Sequence, residues 1–183
     1  MTALSEDPDK FLEIIQNERD CGIVTLEVIS LESPLSAVDA CDMVVRHAGF
    51  APPSVWVYVP ECIGRLHLVG CLEFDLAYGA ACMSKARAGE LAERFLRCVG
   101  SGNLRFFTNT YPWQPNTYGK VASAGGTRLV VFSEEEVRGM PWARSNGSGE
   151  AWVSDPLTQS TFDSGVVVVS DERAGLLWFE DED

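Results

Sequence analysis

Asp163-Ser164-Gly165-Val166-Val167-Val168-Val169-Ser170-Asp171-Glu172-Arg173-Ala174-Gly175-Leu176-Leu177-Trp178-Phe179-Glu180-Asp181-Glu182-Asp183 is the stretch whose reading decides the fold. Two apolar runs, residues 166–169 and 176–179, flank a polar turn that ends on Gly175. That is the pattern of a β-hairpin. The second run leads straight into four carboxylates, Glu180 to Asp183. A sheet therefore delivers a block of negative charge to one place.

Upstream, β-rich runs recur at Ile23–Leu31, Val55–Val59, Leu66–Phe74, Asn103–Thr110, Thr127–Phe132 and Ala151–Ser154. Val55, Val57 and Val59 alternate with Trp56 and Tyr58, which predicts a strand with both faces covered at least in part. The short turn at residues 60–64 predicts that the 66–74 run lies antiparallel to it. Three stretches read as helices. Asp7-Pro8 caps the first, with Phe11, Leu12, Ile14 and Ile15 at helical spacing up to Asp20. Ser33-Pro34 opens the second, whose stripe Leu35, Val38, Cys41 and Val45 ends at Gly49. Ser84 caps the third, Lys85 to Val99, with Gly100 just past its end. Ser133 caps a short acidic turn beginning Glu134-Glu135-Glu136. Residues 111–126, 140–149 and 155–165 read as loops. Helices come early and strands late, so the expectation is an α+β fold: one domain over residues 1–183, three helices and about eight strands in a mixed or mainly antiparallel sheet.

The formal net charge is −13 and is unevenly spread. Residues 1–20 hold six acids against two bases, and residues 150–183 nine acids against one base, which leaves the middle of the chain near neutral. Nucleic-acid binding relies on Lys and Arg neutralising phosphates, so a nucleic-acid partner is excluded as an expectation. A basic partner is favoured, because opposite potentials speed encounter and suppress wrong pairings. No apolar run approaches the roughly 20 residues of a membrane helix. Met1 to Lys10 is polar and acidic and lacks the character of a signal peptide, so a cytoplasmic location is expected.

Six cysteines, at 21, 41, 62, 71, 82 and 98, include no C-x-x-C pair, and His47 and His67 are the only histidines. Zinc sites usually show closely spaced ligand pairs, so reduced, mostly buried thiols and no metal are expected. Gly119-Lys120 and Gly125-Gly126 do not have phosphate-loop spacing, and no G-x-G-x-x-G opens a helix, so no cofactor is expected. A nucleophilic pair could be drawn from Cys62 or Cys71 with His67. In a strand, His67 and Cys71 would share a face without touching, so catalysis is not expected there. Glu73 and Asp75 would point the same way from that strand, but no third ligand is nearby.

Binding to a partner protein is the better reading. Trp113 and Tyr118, in the long loop, are residue types favoured as interface anchors. Trp178 stands beside the acidic run, and Glu180, Asp181, Glu182 and Asp183 supply charge suited to a basic cleft. The alternatives are a small cytosolic enzyme of unrecognised type using Glu73, Asp75, His67 or a cysteine, and a module that self-associates through the edge of the 163–183 hairpin.

In size, acidity and the ending Asp163-Ser164-Gly165-Val166-Val167-Val168-Val169 … Gly175-Leu176-Leu177-Trp178-Phe179-Glu180-Asp181-Glu182-Asp183, the chain resembles the small acidic immunity proteins of bacterial polymorphic-toxin and contact-dependent inhibition systems. The resemblance implies a cytosolic, non-enzymatic inhibitor that plugs the active site of a cognate toxin protein. It fixes neither the architecture nor any residue's role.

Overall fold

The hairpin of residues 162–181 lies inside a six-stranded mixed sheet, with a strand on either side of it. The computed structural model describes residues 5–18, 22–33, 35–75, 83–112, 119–121, 128–139, 152–160 and 162–181. The strands are β1 (Ile23–Ser30), β2 (Trp56–Val59), β3 (Arg105–Thr108), β4 (Thr110–Pro112), β5 (Leu129–Val131), β6 (Trp152–Ser154), β7 (Phe162–Val169) and β8 (Arg173–Asp181). The main sheet runs β1-β8-β7-β3-β2-β5, and β4 and β6 form a separate pair. All neighbours in the main sheet are antiparallel except β2 and β5, which are parallel.

The helices are α1 (Pro8–Asn17), α2 (Ala37–His47), α3 (Glu61–Gly70), α4 (Lys85–Val99) and the short α5 (Glu134–Gly139), with a π-helical turn, Cys71–Asp75, continuing α3. One face of the sheet packs Val24, Leu26, Val57, Phe106, Val166, Val168, Leu177 and Phe179 against α1, α3 and α4. The opposite face packs Ile29, Trp56, Phe107, Val167, Val169, Leu176 and Trp178 against α2 and Leu157. The four consecutive valines of β7 are thus buried from both sides, which is why the hairpin is written as unbroken apolar runs and not as an alternation. Two glycines permit the close approach of helices to the sheet. A Cβ at Gly64 of α3 would overlap the ring of Phe106, and one at Gly175 of β8 would overlap Val99 of α4.

The α+β class and mixed sheet are as the pattern predicts, and two helices begin and end close to expectation. Asp7 caps α1, accepting from the Asp9 N–H at 3.0 Å, and Ser84 caps α4, accepting from the Arg87 N–H at 3.2 Å. The counts differ: among the described residues four helices have seven residues or more, and the eight strands are divided between two sheets.

The expected strand at Leu66–Phe74 is the largest correction, because that segment is α3 and its π-helical extension. Its buried residues Ile63, Gly64, Leu68, Cys71 and Leu72 fall on one helical face against α4 and the sheet. The second helix is capped by Ser36, which accepts from the Asp39 N–H at 3.1 Å, and not by Ser33. The expected 103–110 strand is two, β3 and β4, separated at Asn109, and β4 occupies the start of the expected 111–126 loop. Residues 162–165, expected as loop, already belong to β7.

The expected self-association edge is also corrected. Both outer edges of the β7–β8 hairpin are occupied, β8 by β1 and β7 by β3. The edges of the main sheet are β1 and β5.

Candidate functional site

The described part of the acidic run, Glu180 and Asp181, lies at one end of the sheet, where β1, β8 and β7 lie side by side. Glu180 is opposite Ile23 on one neighbour and Asp163 on the other, and Asp181 is opposite Phe162. Glu180 and Asp181 are therefore the last residues of a central strand. Glu182, Asp183, Trp113 and Tyr118, also expected to contact a partner, lie outside the described residues.

A strap, residues 155–160, is tied across this end. Asp163 accepts from the backbone N–H groups of Leu157 at 2.8 Å and Thr158 at 2.7 Å. The Ser160 hydroxyl donates to Glu180 Oε1 at 3.2 Å. The other end of the strap is fixed by Asp155, which accepts from the Ser54 N–H at 2.5 Å and from the Ser54 hydroxyl. The Asn109 side chain donates to the Asp155 carbonyl at 2.7 Å. Asp155, Asp163 and Glu180 are in this way positioned by one strand end and one strap, and Asp181 follows Glu180 at the end of β8. Sequence reading isolates the run 180–183 but misses Asp155 and Asp163, because their role depends on partners that are distant in sequence or in backbone atoms.

Trp178, expected as an exposed anchor, presents no surface to a partner. It is fully buried, as Phe179 nearly is, in the two cores on opposite faces of β8. In the sequence, an aromatic residue next to charge has the look of a surface feature. In a strand covered on both faces, aromatic residues up to the strand end belong to the core. The Trp178 indole N–H is buried with no hydrogen-bond partner among the described residues, so it is not an exposed polar handle.

His67 and Cys71 do touch, contrary to the strand-based expectation. On a helix, residues four apart are neighbours, and Cys71 Sγ lies 3.7 Å from His67 Nε2. The same nitrogen is 3.3 Å from the Gly165 carbonyl of β7. Cys71 is 4% exposed, so the thiol faces core and not a substrate path. The exposed Cys62 instead donates toward Glu134 Oε1 at 3.6 Å. Glu73 lies on the π-helical turn, which removes the strand geometry that aligned it with Asp75. Among the described residues no group of three or more His, Cys, Asp or Glu is placed to hold a metal ion. Among the described residues, Cys41, Cys62, Cys71 and Cys98 form no disulfide.

A cleft of about 370 Å³ opens where the end of α4 meets the β7–β8 turn, lined by Arg65, Arg97, Arg173, Glu93 and Glu172 among others. Its cations are already engaged: Arg65 with Glu61 and Glu93, Arg97 with Glu6, and Arg173 with the Ser5 hydroxyl and the Cys98 carbonyl. The cleft is a charge-balanced seam between α4 and the hairpin turn.

Fold and site together define an α+β protein built on a mixed six-stranded sheet, with carboxylates gathered at one end of the sheet. No family model matches the chain, and comparison with curated proteins and with solved structures gives no match. No helix of the described residues is long and apolar enough to cross a membrane.

Proposed function

We propose that the chain is an immunity protein, which binds one cognate bacterial toxin domain in the cytoplasm and neutralises it by occupation and not by turnover. The acidic run at residues 180–183 lies against the toxin's basic active-site cleft, which would otherwise receive a phosphate-bearing substrate. The observation that carries this reading is the attachment of the run to β8. Glu180 and Asp181 extend from a central strand flanked on both sides, beside the tied strap. Charge presented on an ordered strand loses little conformational freedom on binding. Each solvated pair at contact distance contributes about 1 kcal/mol, and desolvated, hydrogen-bonded pairs couple more strongly. Trp113 and Tyr118 remain the candidate apolar anchors.

Coexpression with the toxin domain encoded beside this chain tests the proposal. The full chain should restore growth. A variant carrying Glu180→Gln, Asp181→Asn, Glu182→Gln and Asp183→Asn should protect poorly and bind with a shallower salt dependence. If the neutralised variant protects and binds as the full chain does, the acidic run is not the inhibitory element.

A further inference from the structure

Among the described residues, β1 is a long, unblunted edge. The other edge of the main sheet, β5, is three residues long, whereas β1 has eight, Ile-Val-Thr-Leu-Glu-Val-Ile-Ser. Edge strands are commonly protected by brevity, Lys, Pro or a bulge. β1 contains neither Lys nor Pro, and its register with β8 runs without a bulge from Ile23 to Ser30. Its single charge, Glu27, is held by His47 Nδ1 at 2.9 Å.

The ladder fixes which backbone groups of β1 face outward. The Leu31 N–H donates to the Glu172 carbonyl at 2.7 Å, so this pair faces inward. Alternation along an antiparallel ladder then turns Thr25, Glu27 and Ile29 toward β8, and Val24, Leu26 and Val28 away from it. Those three outward N–H and C=O sets make no hydrogen bond to a described residue.

We infer that two copies of the chain pair antiparallel through β1, about a two-fold axis at Leu26, to form one continuous twelve-stranded sheet. A two-fold register must match outward-facing residues and keep each side chain on its own face of the sheet. Centring on Leu26 sets Val24 opposite Val28 of the second copy and Ile23, which is 58% exposed, opposite Ile29. It sets Thr25 opposite Glu27. Centring on Glu27 instead would oppose the two Glu27 side chains, which is destabilising. The Leu26 register supplies about six backbone hydrogen bonds from three hydrogen-bonded pairs.

Flanking structure and charge are compatible with this pairing. On α1, Leu12 and Ile14 are half-buried and stand about 160° apart around the helix. α1 packs on β1 as well as on α4, so these half-buried aliphatic residues belong to the layer that lies on the edge strand. Antiparallel pairing also points the two acidic runs in opposite directions. The Glu180 residues are offset by about six residues along the strands and three strand spacings across them, on the order of 24 Å. That is well beyond the roughly 8 Å Debye length at physiological salt.

Sedimentation of the full chain, of 20.0 kDa, tests the pairing and its register. The wild type should sediment as a concentration-dependent dimer. Thr25→Glu places two like-charge pairs across the dyad and should weaken the dimer about tenfold. Thr25→Lys places opposite charges there and should leave it as tight or tighter. Both substitutions are on a half-exposed position, and circular dichroism with thermal unfolding verifies that each variant is folded. A wild type that stays monomeric at its highest soluble concentration overturns the inference, as does a dimer indifferent to the sign of charge at Thr25. This proposal is independent of toxin binding, and a failed protection assay leaves it standing.

Discussion

The indole N–H of Trp56 donates to Oδ1 of Asp42 at 2.9 Å, joining β2 to α2 inside the core. Asp42 is 4% exposed, and its carboxylate is gripped by Arg128 as well, with Nη2 at 3.0 Å from Oδ1 and Nη1 on Oδ2. Arg128 also donates to the Pro53 carbonyl at 2.7 Å. One side chain thus satisfies the tryptophan and holds the residue that precedes β5. Asp42→Ala strands the buried indole N–H and the guanidinium and should cost about 2–4 kcal/mol. Asp42→Asn keeps an acceptor for Trp56 and should cost about 1 kcal/mol. Urea unfolding at constant slope reads both. Equal losses for the two variants would show that the Trp56 bond contributes nothing separable.

Glycines that look alike in the sequence should respond with opposite sign. Gly89 sits within α4, and a Cβ there meets nothing within 4 Å. Gly89→Ala should stabilise by about 0.5–1 kcal/mol, through helix propensity and a less free unfolded chain. Gly64 sits within α3, where a Cβ would overlap the Phe106 ring carbons. Gly64→Ala should destabilise by about 1–3 kcal/mol. Thermal unfolding of the pair is the check, and a stabilised Gly64→Ala would mean that α3 does not press on β3 as described.

Gly64 also shows what the sequence could and could not disclose. The valine run of the hairpin, the Asp7-Pro8 and Ser84 caps and the helical spacing in α1 and α4 are local signals, and local physics sets those elements. The 61–75 segment is different. Leu66-His67-Leu68-Val69 is a short apolar run, and such a run suits a buried strand as well as a buried helix. The deciding signal was the wider set Ile63, Gly64, Leu68, Cys71 and Leu72, whose helical period includes a glycine that is buried for want of a side chain. The His67–Cys71 contact is hidden for the same reason, because four-residue spacing creates it only on a helix. At the acidic end, the run 180–183 is visible in sequence. The burial of Trp178 and the tying of Asp155 and Asp163 depend on layers and straps assembled from distant segments.

The thiols should separate by burial. Cys62 is exposed, whereas Cys41, Cys71 and Cys98 are buried. Burial pushes the Cys98 thiol up to about 12, helped by the nearby Glu6 carboxylate. Cys41 is raised well above its ordinary value by burial and by Asp42. Since the thiolate is the reactive form, both should resist alkylation at pH 8 in the native protein. Peptide mapping after brief iodoacetamide treatment should find Cys62 modified and Cys41 and Cys98 protected until urea is added. Modification of Cys98 at the rate of Cys62 would contradict its burial on the inner face of α4.

Glu136 is the group whose titration best reports a long-range contact. Lys120 donates to its carboxylate, and the Ser133 N–H donates to the other oxygen at 2.9 Å. Glu136 returns an N–H bond to the Ser133 hydroxyl at 3.2 Å, which closes a capping box at the start of α5. The lysine first, and then Ser133, hold the Glu136 carboxyl at about 2, below its ordinary 4.5. A carboxyl depressed in the folded state adds stability above its unfolded pKa, and that contribution is lost as the pH falls from about 4.5 through about 2. Carbon-detected NMR titration of Glu136 should give a value well below that of a free glutamate. Lys120→Met should move it most of the way back, because the ammonium is the larger influence, while Ser133→Ala should move it less. If Lys120→Met leaves the titration unchanged, the Lys120–Glu136 contact is absent in solution, and residues 119–121 are not tied to α5.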